Sequence, residues 1–366
     1  MFVVSERLRA ITKKVMDNAL PIQKGEVAAF HAGMENLDLA YAFAAECEAR
    51  GIETIVQSEG DYITNTRALE APFDELEKTP RVPHALVELV DWYVFMTGTR
   101  HDRSILQKKE NRERMNEFWN RRRWNVDSFF NLCLEKETHV VFFLDPGLGQ
   151  AKALGKTYQE TKEMFLDSLD IDYEEVSKLG ERIIEVVKTG GEFHMTCPKG
   201  SDLKLRADDR VWVNDDGKVA PAGACTEFVH NLPVGEVFVA PIETTAKGVI
   251  LPKDMPGSTV TGIEIEFRGE QDARVTAKEG FEAMEPAFKN ATGNPYRIAE
   301  FAFGTNPCGD VFLATEKAYG TCHVAIGGND WLGGTNECSI HWDFLIDKPT
   351  VTLDGKLILK DGEFQV

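Results

Sequence analysis

The spacing of apolar residues changes character near Gly190-Gly191, and a chain with two periodicities needs two kinds of layer. Before that point, strand-like runs alternate with amphipathic stretches. A helical pattern at Leu8, Ile11 and Val15 precedes the short run Val27 to Phe30, then the amphipathic stretch Leu37 to Arg50, then Ile52 to Val56 after Gly51. Strand, helix, strand at this spacing predicts a parallel βαβ unit. The rhythm recurs with a helix end at Ala85 to Asp91, a strand at Trp92 to Met96, a charged helix at Asn116 to Cys133 and a strand at Val140 to Leu144. That strand closes on the turn Asp145-Pro146-Gly147. Residues 1 to about 165 therefore read as an open α/β layer structure. No GxGxxG or GxxxxGK[ST] fingerprint follows these strands, so nucleotide binding has little support.

After an acidic helix at Tyr173 to Lys188, short alternating runs take over. They are Glu192 to Thr196, Leu203 to Ala207, Val211 to Val213, Glu236 to Ala240, Val260 to Phe267 and Leu357 to Lys360, separated by Gly, Pro, Asn and Asp turns. One further helix is expected around Glu279 to Lys289. The 366 residues exceed what one core usually organises. The expected fold is thus α/β, with an N-terminal open α/β layer domain over residues 1–190 and a mixed, mostly β domain over 191–366.

The formal net charge of -19 repels phosphate backbones and anionic lipid, which argues against nucleic-acid and membrane-surface roles. The densest basic cluster, Arg121-Arg122-Arg123 near Lys108, Lys109, Arg112 and Arg114, lies in a helical segment and reads as a solvated face or subunit contact. No apolar run reaches the roughly 18–20 residues of a spanning helix, and the stretch MFVVSERLRAITKKVM lacks a signal-peptide cleavage pattern. A cytoplasmic location is the expectation. Seven irregularly spaced cysteines without a CxxC pair fit a reducing compartment and neither a disulfide framework nor a zinc ribbon.

Chemistry concentrates in the second half. As a strand, Cys338 to Ile346 places His341 and Asp343 on one face and Ile340, Trp342 and Phe344 on the other. An imidazole beside a carboxylate can chelate a divalent ion, or form a hydrogen-bonded pair, or line a solvent face. Thr321 to Gly328 presents His323 in an apolar run that opens into a glycine-rich loop. Glu236 and Glu300 each interrupt a hydrophobic run, where burial is costly without charge compensation; a solvent-facing strand position is the plainer reading of each alone. Together these five residues suit a paired site for Zn, Co or Mn. Cys308, Cys322 and Cys338 read as small buried hydrophobes. No GxSxG elbow supports a serine nucleophile, and no local signature supports a cysteine one.

The succession NLPVGEVFVAP, IAEFAFGTNP, EKAYGTCHVAIGG and SIHWDFLID resembles the thermophilic-type metallo-aminopeptidase family, that of aminopeptidases S and T, over about Asn231 to Asp347. The resemblance implies that Glu236, Glu300, His323, His341 and Asp343 hold two divalent ions (Zn, Co or Mn). It also implies removal of N-terminal amino acids from short peptides by metal-activated water, in a homodimer with an enclosed site. For the proton carrier that such a reaction requires, Glu316 is the first candidate and Glu243, in APIETT, the second. The family's tyrosine seven residues after the histidine is replaced here by Asp330, followed by Trp331. Two alternatives stand beside the peptidase. A 2,5-dihydroxypyridine ring-cleaving dioxygenase is similar to the same family, but uses one iron and has a histidine in place of Glu300. A relative that only binds peptides or amino acids would have no need of all five ligands.

Overall fold

The computed structural model describes residues 4–96, 108–218, 227–308 and 316–366. The chain divides into two compact units, one of Met1–Asp170 with Gly217–Leu232 and one of Ile171–Asp216 with Pro233–Val366.

The first unit is built on a five-stranded sheet in which every pairing is parallel. Its spatial order is Glu53–Glu59, Val27–Gly33, Trp92–Met96, His139–Phe143, Val229–Leu232. The central strands are nearly continuous apolar runs, as strands covered on both faces require. Helix Leu37–Ala49 provides the first crossover, which makes the expected βαβ unit. The fifth strand is supplied from beyond residue 190. There the His230 ring stacks near His139 and Trp92, and His139 Nδ1 lies 3.0 Å from His230 Nε2.

Of the basic cluster on helix Lys109–Glu135, Arg114, Arg121 and Arg122 are engaged within this unit. Arg114 and Arg121 lie over the Phe73 ring, 3.6 and 4.6 Å from its centroid, and Arg121 also pairs with Glu117 and Glu77. Arg122 covers Phe118. Guanidiniums engaged by aromatic faces and carboxylates are poorly disposed to hold phosphate. The side chains of Arg112 and Arg123 lie outside the described residues.

The acidic helix, assigned to the first half by the 1–190 division, belongs to the second unit. It runs Tyr173–Val187 and starts at Asp172, whose side chain accepts from the amides of Glu174 and Glu175, a cap worth about 1 kcal/mol. Its Leu179, Ile183 and Val187 recur at four-residue spacing and are buried in the second core, so packing decides its membership.

That core fills the space between two sheets. One has eight strands and runs from Gln271–Thr276 at one edge to Glu363–Phe364 at the other. The other has five antiparallel strands in the order His341–Ile346, Cys322–Gly327, Ile298–Gly304, Glu236–Val239, Val213–Asp215. Three local expectations shift. The strand placed at Val211 to Val213 begins at Val213, leaving Val211 exposed; that at Val260 to Phe267 forms at Glu264–Arg268; and the helix at Glu279 to Lys289 shortens to Glu285–Asn290 after a 3-10 turn. Among the described residues, no helix is long and apolar enough to cross a membrane.

Candidate metal centre

The five-stranded sheet sorts its residues by parity. Val237, Val239, Phe301, Phe303, Val324, Ile326, Phe344 and Ile346 enter the core between the sheets. The intervening positions on the opposite face carry Glu236, Glu300, His323, His341 and Asp343. Small residues stand between them. Ala325 is registered against both Glu300 and Asp343, and Ala302 against His323. A register irregularity between Ile298 and Glu300 interrupts the ladder beside the glutamate, as bulges near functional sites often do.

These placements bring together all five residues expected to bind metal. Two groups have ligand atoms within 4.8 Å of one another: Glu236 with Glu300 and His323, and Glu300 with His341 and Asp343. Glu300 belongs to both. Its Oε1 lies 3.2 Å from His323 Nε2 and its Oε2 3.0 Å from His341 Nε2. His341 Nε2 is 3.3 Å from Asp343, and His323 Nε2 is 3.7 Å from Glu236 Oε2.

Both imidazoles are oriented from behind. His323 Nδ1 faces the Glu316 carbonyl at 3.3 Å, and His341 Nδ1 faces the Gly328 carbonyl at 2.7 Å. A carbonyl only accepts, so each Nδ1 carries the hydrogen and each Nε2 is left toward the carboxylates, the tautomer a metal ligand needs. The donor set of oxygens and imidazole nitrogens therefore fits a divalent ion of the Zn, Co or Mn type.

Without a cation, the cluster holds its charge as protons. Burial lowers His323, but Glu300, Glu236 and Asp343 outweigh it and raise the ring to about 10. Burial likewise opposes ionisation of His341, and hydrogen bonds with Asp343 and Glu300 lift it to about 11. Glu300 is pushed up by burial and pulled further down by the two histidines, to about 2.

The sequence contains two members of this environment that its patterns do not reveal. The Lys317 side chain is wholly enclosed, and its Nζ contacts Asp215 and, at 2.8 Å, Glu236 Oε1. Asp215 and Glu236 are directly opposed across the Val213–Asp215 and Glu236–Val239 pairing. Buried like charges in that position repel, and the ammonium between them offsets the cost. It also occupies Oε1, leaving Oε2 of Glu236 toward His323. The signal was present only as a lysine beside Glu316; nothing local marks it as buried.

The two proton-carrier candidates separate. Burial, with the Asp343 and Glu236 carboxylates, pushes Glu316 up to about 7, so its carboxyl lies within electrostatic reach of the cluster. Glu243 belongs to neither group. It is buried and accepts from Arg210 Nη2 at 2.8 Å, Asn329 Nδ2 at 3.0 Å and the Thr335 amide at 2.6 Å. These bonds fix the base of the loop after His323. Burial raises Glu243, but its hydrogen bonds and Arg210 hold it below the ordinary carboxylate value. Of the three cysteines nearby, Cys322 is buried and its thiol is pushed up by that burial, whereas Cys308 and Cys338 are only half-buried.

Two solved structures and one family profile are similar to this chain. Wild-type AmpT from Thermus thermophilus has a similar fold, with a TM-score of 0.76 at 19% identity over 100% of both chains. The 2,5-dihydroxypyridine dioxygenase of Pseudomonas putida KT2440 is a more distant match, with a TM-score of 0.60 at 14% identity, covering 98% of this chain and 96% of that one. No curated protein matches the sequence. The profile of the thermophilic metalloproteases, M29, matches residues 4–365. The chain belongs to the M29 family of thermophilic metalloproteases, and is thus a metal-dependent peptidase by family.

Proposed function

We propose that the protein is a metallo-aminopeptidase that removes N-terminal residues from short peptides, using two divalent ions (Zn, Co or Mn). The observation that carries this reading is the pair of ligand groups joined through Glu300. When bound, such ions supply Lewis acidity for the scissile carbonyl and a lowered pKa for water. Glu236, Glu300 and His323 would hold one, and Glu300, His341 and Asp343 the other.

The remaining work falls to the chain itself. Glu300 keeps the two groups in register, because each of its oxygens faces a different histidine. Glu316, buried beside the Asp343 and Glu236 carboxylates, is the group assigned to take the proton from the attacking water and return it to the leaving amine. The substrate is read as one with a free α-amine, hence a free N-terminus, which the centre would anchor. A homodimeric assembly and the preference for short peptides belong to the same proposal.

Glu236 and Glu300 favour a hydrolase over ring cleavage, since they complete a second ligand group that a single iron does not need. The test is hydrolysis of aminoacyl p-nitroanilides and of tripeptides by protein loaded with Zn, Co or Mn. Activity should vanish with a chelator, return with the ion, and be absent on N-acetylated tripeptides. Equal cleavage of blocked and free peptides, or no cleavage by loaded protein, would contradict the proposal.

A further inference from the structure

One large apolar side chain beside the cluster has no part in holding a metal. Trp331 is 51% exposed, and its indole meets the His341 ring edge-on, with centroids 5.4 Å apart at 62°. An indole left in water forgoes the burial that usually fixes a tryptophan, so something else must hold it in place.

The loop supplies that support. Trp331 sits in the 3-10 turn Asp330–Leu332, whose last residue, Leu332, is buried. On one side of the turn, Asn329 is fully buried and donates to Glu243; on the other, the Thr335 amide donates to the same carboxylate. Arg210 joins Glu243 to the Gly333 carbonyl at 2.5 Å, and Asn329 Oδ1 accepts from the Asn336 amide at 2.9 Å. Gly334 lies so close to Asn329 that a Cβ there would come within 2.1 Å of its side chain. The outward indole is therefore presented by a turn pinned at both ends, the arrangement that gives a recognition surface low entropic cost.

Its position selects a role. Trp331 stands at His341, in the more exposed of the two candidate ligand groups. We propose that Trp331 is a specificity-determining residue whose indole forms one wall for the apolar N-terminal side chain of the substrate. This inference rests on the aminopeptidase reading. Leucyl and phenylalanyl N-termini would cover the indole face, and alanyl ones would leave most of it wet.

The experiment compares Trp331→Ala and Trp331→Phe with the wild type on leucyl, phenylalanyl and alanyl p-nitroanilides, after confirming equal metal content. In the wild type, leucyl and phenylalanyl substrates should lead the alanyl one. In Trp331→Ala that lead should fall about tenfold or more, chiefly through KM, with Trp331→Phe intermediate. An unchanged ratio, whether all three rates fall together or none does, overturns the inference. Competition by free leucine, phenylalanine and alanine, displacing a fluorescent amino-acid hydroxamate, gives a second reading without turnover, and the same lead should be lost in Trp331→Ala. A metal-loaded wild type that cleaves none of the substrates defeats the function itself. In that case the competition experiment alone decides whether Trp331 recognises apolar side chains.

Discussion

The two ligand groups contain similar chemistry in different surroundings. In the Glu236–Glu300–His323 group the side chains are 9%, 8% and 2% exposed, whereas in the other group His341 is 19% and Asp343 35% exposed. The enclosed group has a buried cation, Lys317, to offset its carboxylates, while Asp343 is partly solvated and lies beside His341. Enclosure therefore suits one group to retaining an ion and openness suits the other to meeting a substrate. Glu300 belongs to both, so the sharpest way to break the comparison is to remove it.

Glu300→Ala should abolish both groups at once. Metal content should fall toward zero, and kcat/KM by at least about 1,000-fold, roughly 4 kcal/mol of transition-state stabilisation. Two ions retained in that variant would show that Glu300 is not shared. Next come the single-side variants. His323→Ala should lose the enclosed ion and Asp343→Ala the exposed one, each reducing titrated stoichiometry from two to one and activity by on the order of 100-fold. Both variants losing both ions would show that the groups are not separable.

Lys317→Met probes the enclosed side without replacing a candidate ligand. Freeing Glu236 Oε1 while stranding Asp215 should weaken the first ion about 10–100-fold, spare the second, and cost about 3–5 kcal/mol in denaturant unfolding. Equal weakening of both ions would remove the distinction between the sides.

The smallest effect is in pH. His323 and His341, raised to about 10 and 11, carry protons at neutral pH in metal-free protein and must release them to bind an ion. Apparent metal affinity should therefore rise with pH from about 6 to 8, by up to roughly tenfold per unit for each proton displaced. Calorimetric titration in buffers of different ionisation enthalpy reads that release; a pH-independent affinity would contradict it. The sign reverses for stability without metal. Folded values above the unfolded imidazole value of about 6.5 give stability that is complete below that pH and is lost as pH climbs through about 10 and 11.

The pattern of residues makes the candidate ligands more legible than their setting. Alternation along one strand suffices to put His341 and Asp343 on the same face, and Glu300 betrays itself by breaking the apolar run Ile298 to Phe303. Which strands adjoin is not local information. The pairing of Glu236–Val239 with Ile298–Gly304 joins residues about 60 positions apart, and the fifth strand of the parallel sheet arrives from Val229–Leu232. Lys317 and Asp215 are illegible for a related reason. A lysine beside a glutamate, and an aspartate in Asn214-Asp215-Asp216-Gly217, both look like solvated turn residues until the register opposes Asp215 to Glu236. Glu243 shows the converse: a carboxylate near a ligand strand invites a catalytic reading, but its acceptor sites are taken by Arg210, Asn329 and Thr335.

The most direct test of the central claim is metal content per chain, measured by plasma mass spectrometry on protein purified without chelators and again after reconstitution. The paired centre predicts close to two Zn, Co or Mn ions per chain. A single iron would point instead to ring-cleaving chemistry, and no metal after reconstitution would contradict the centre altogether.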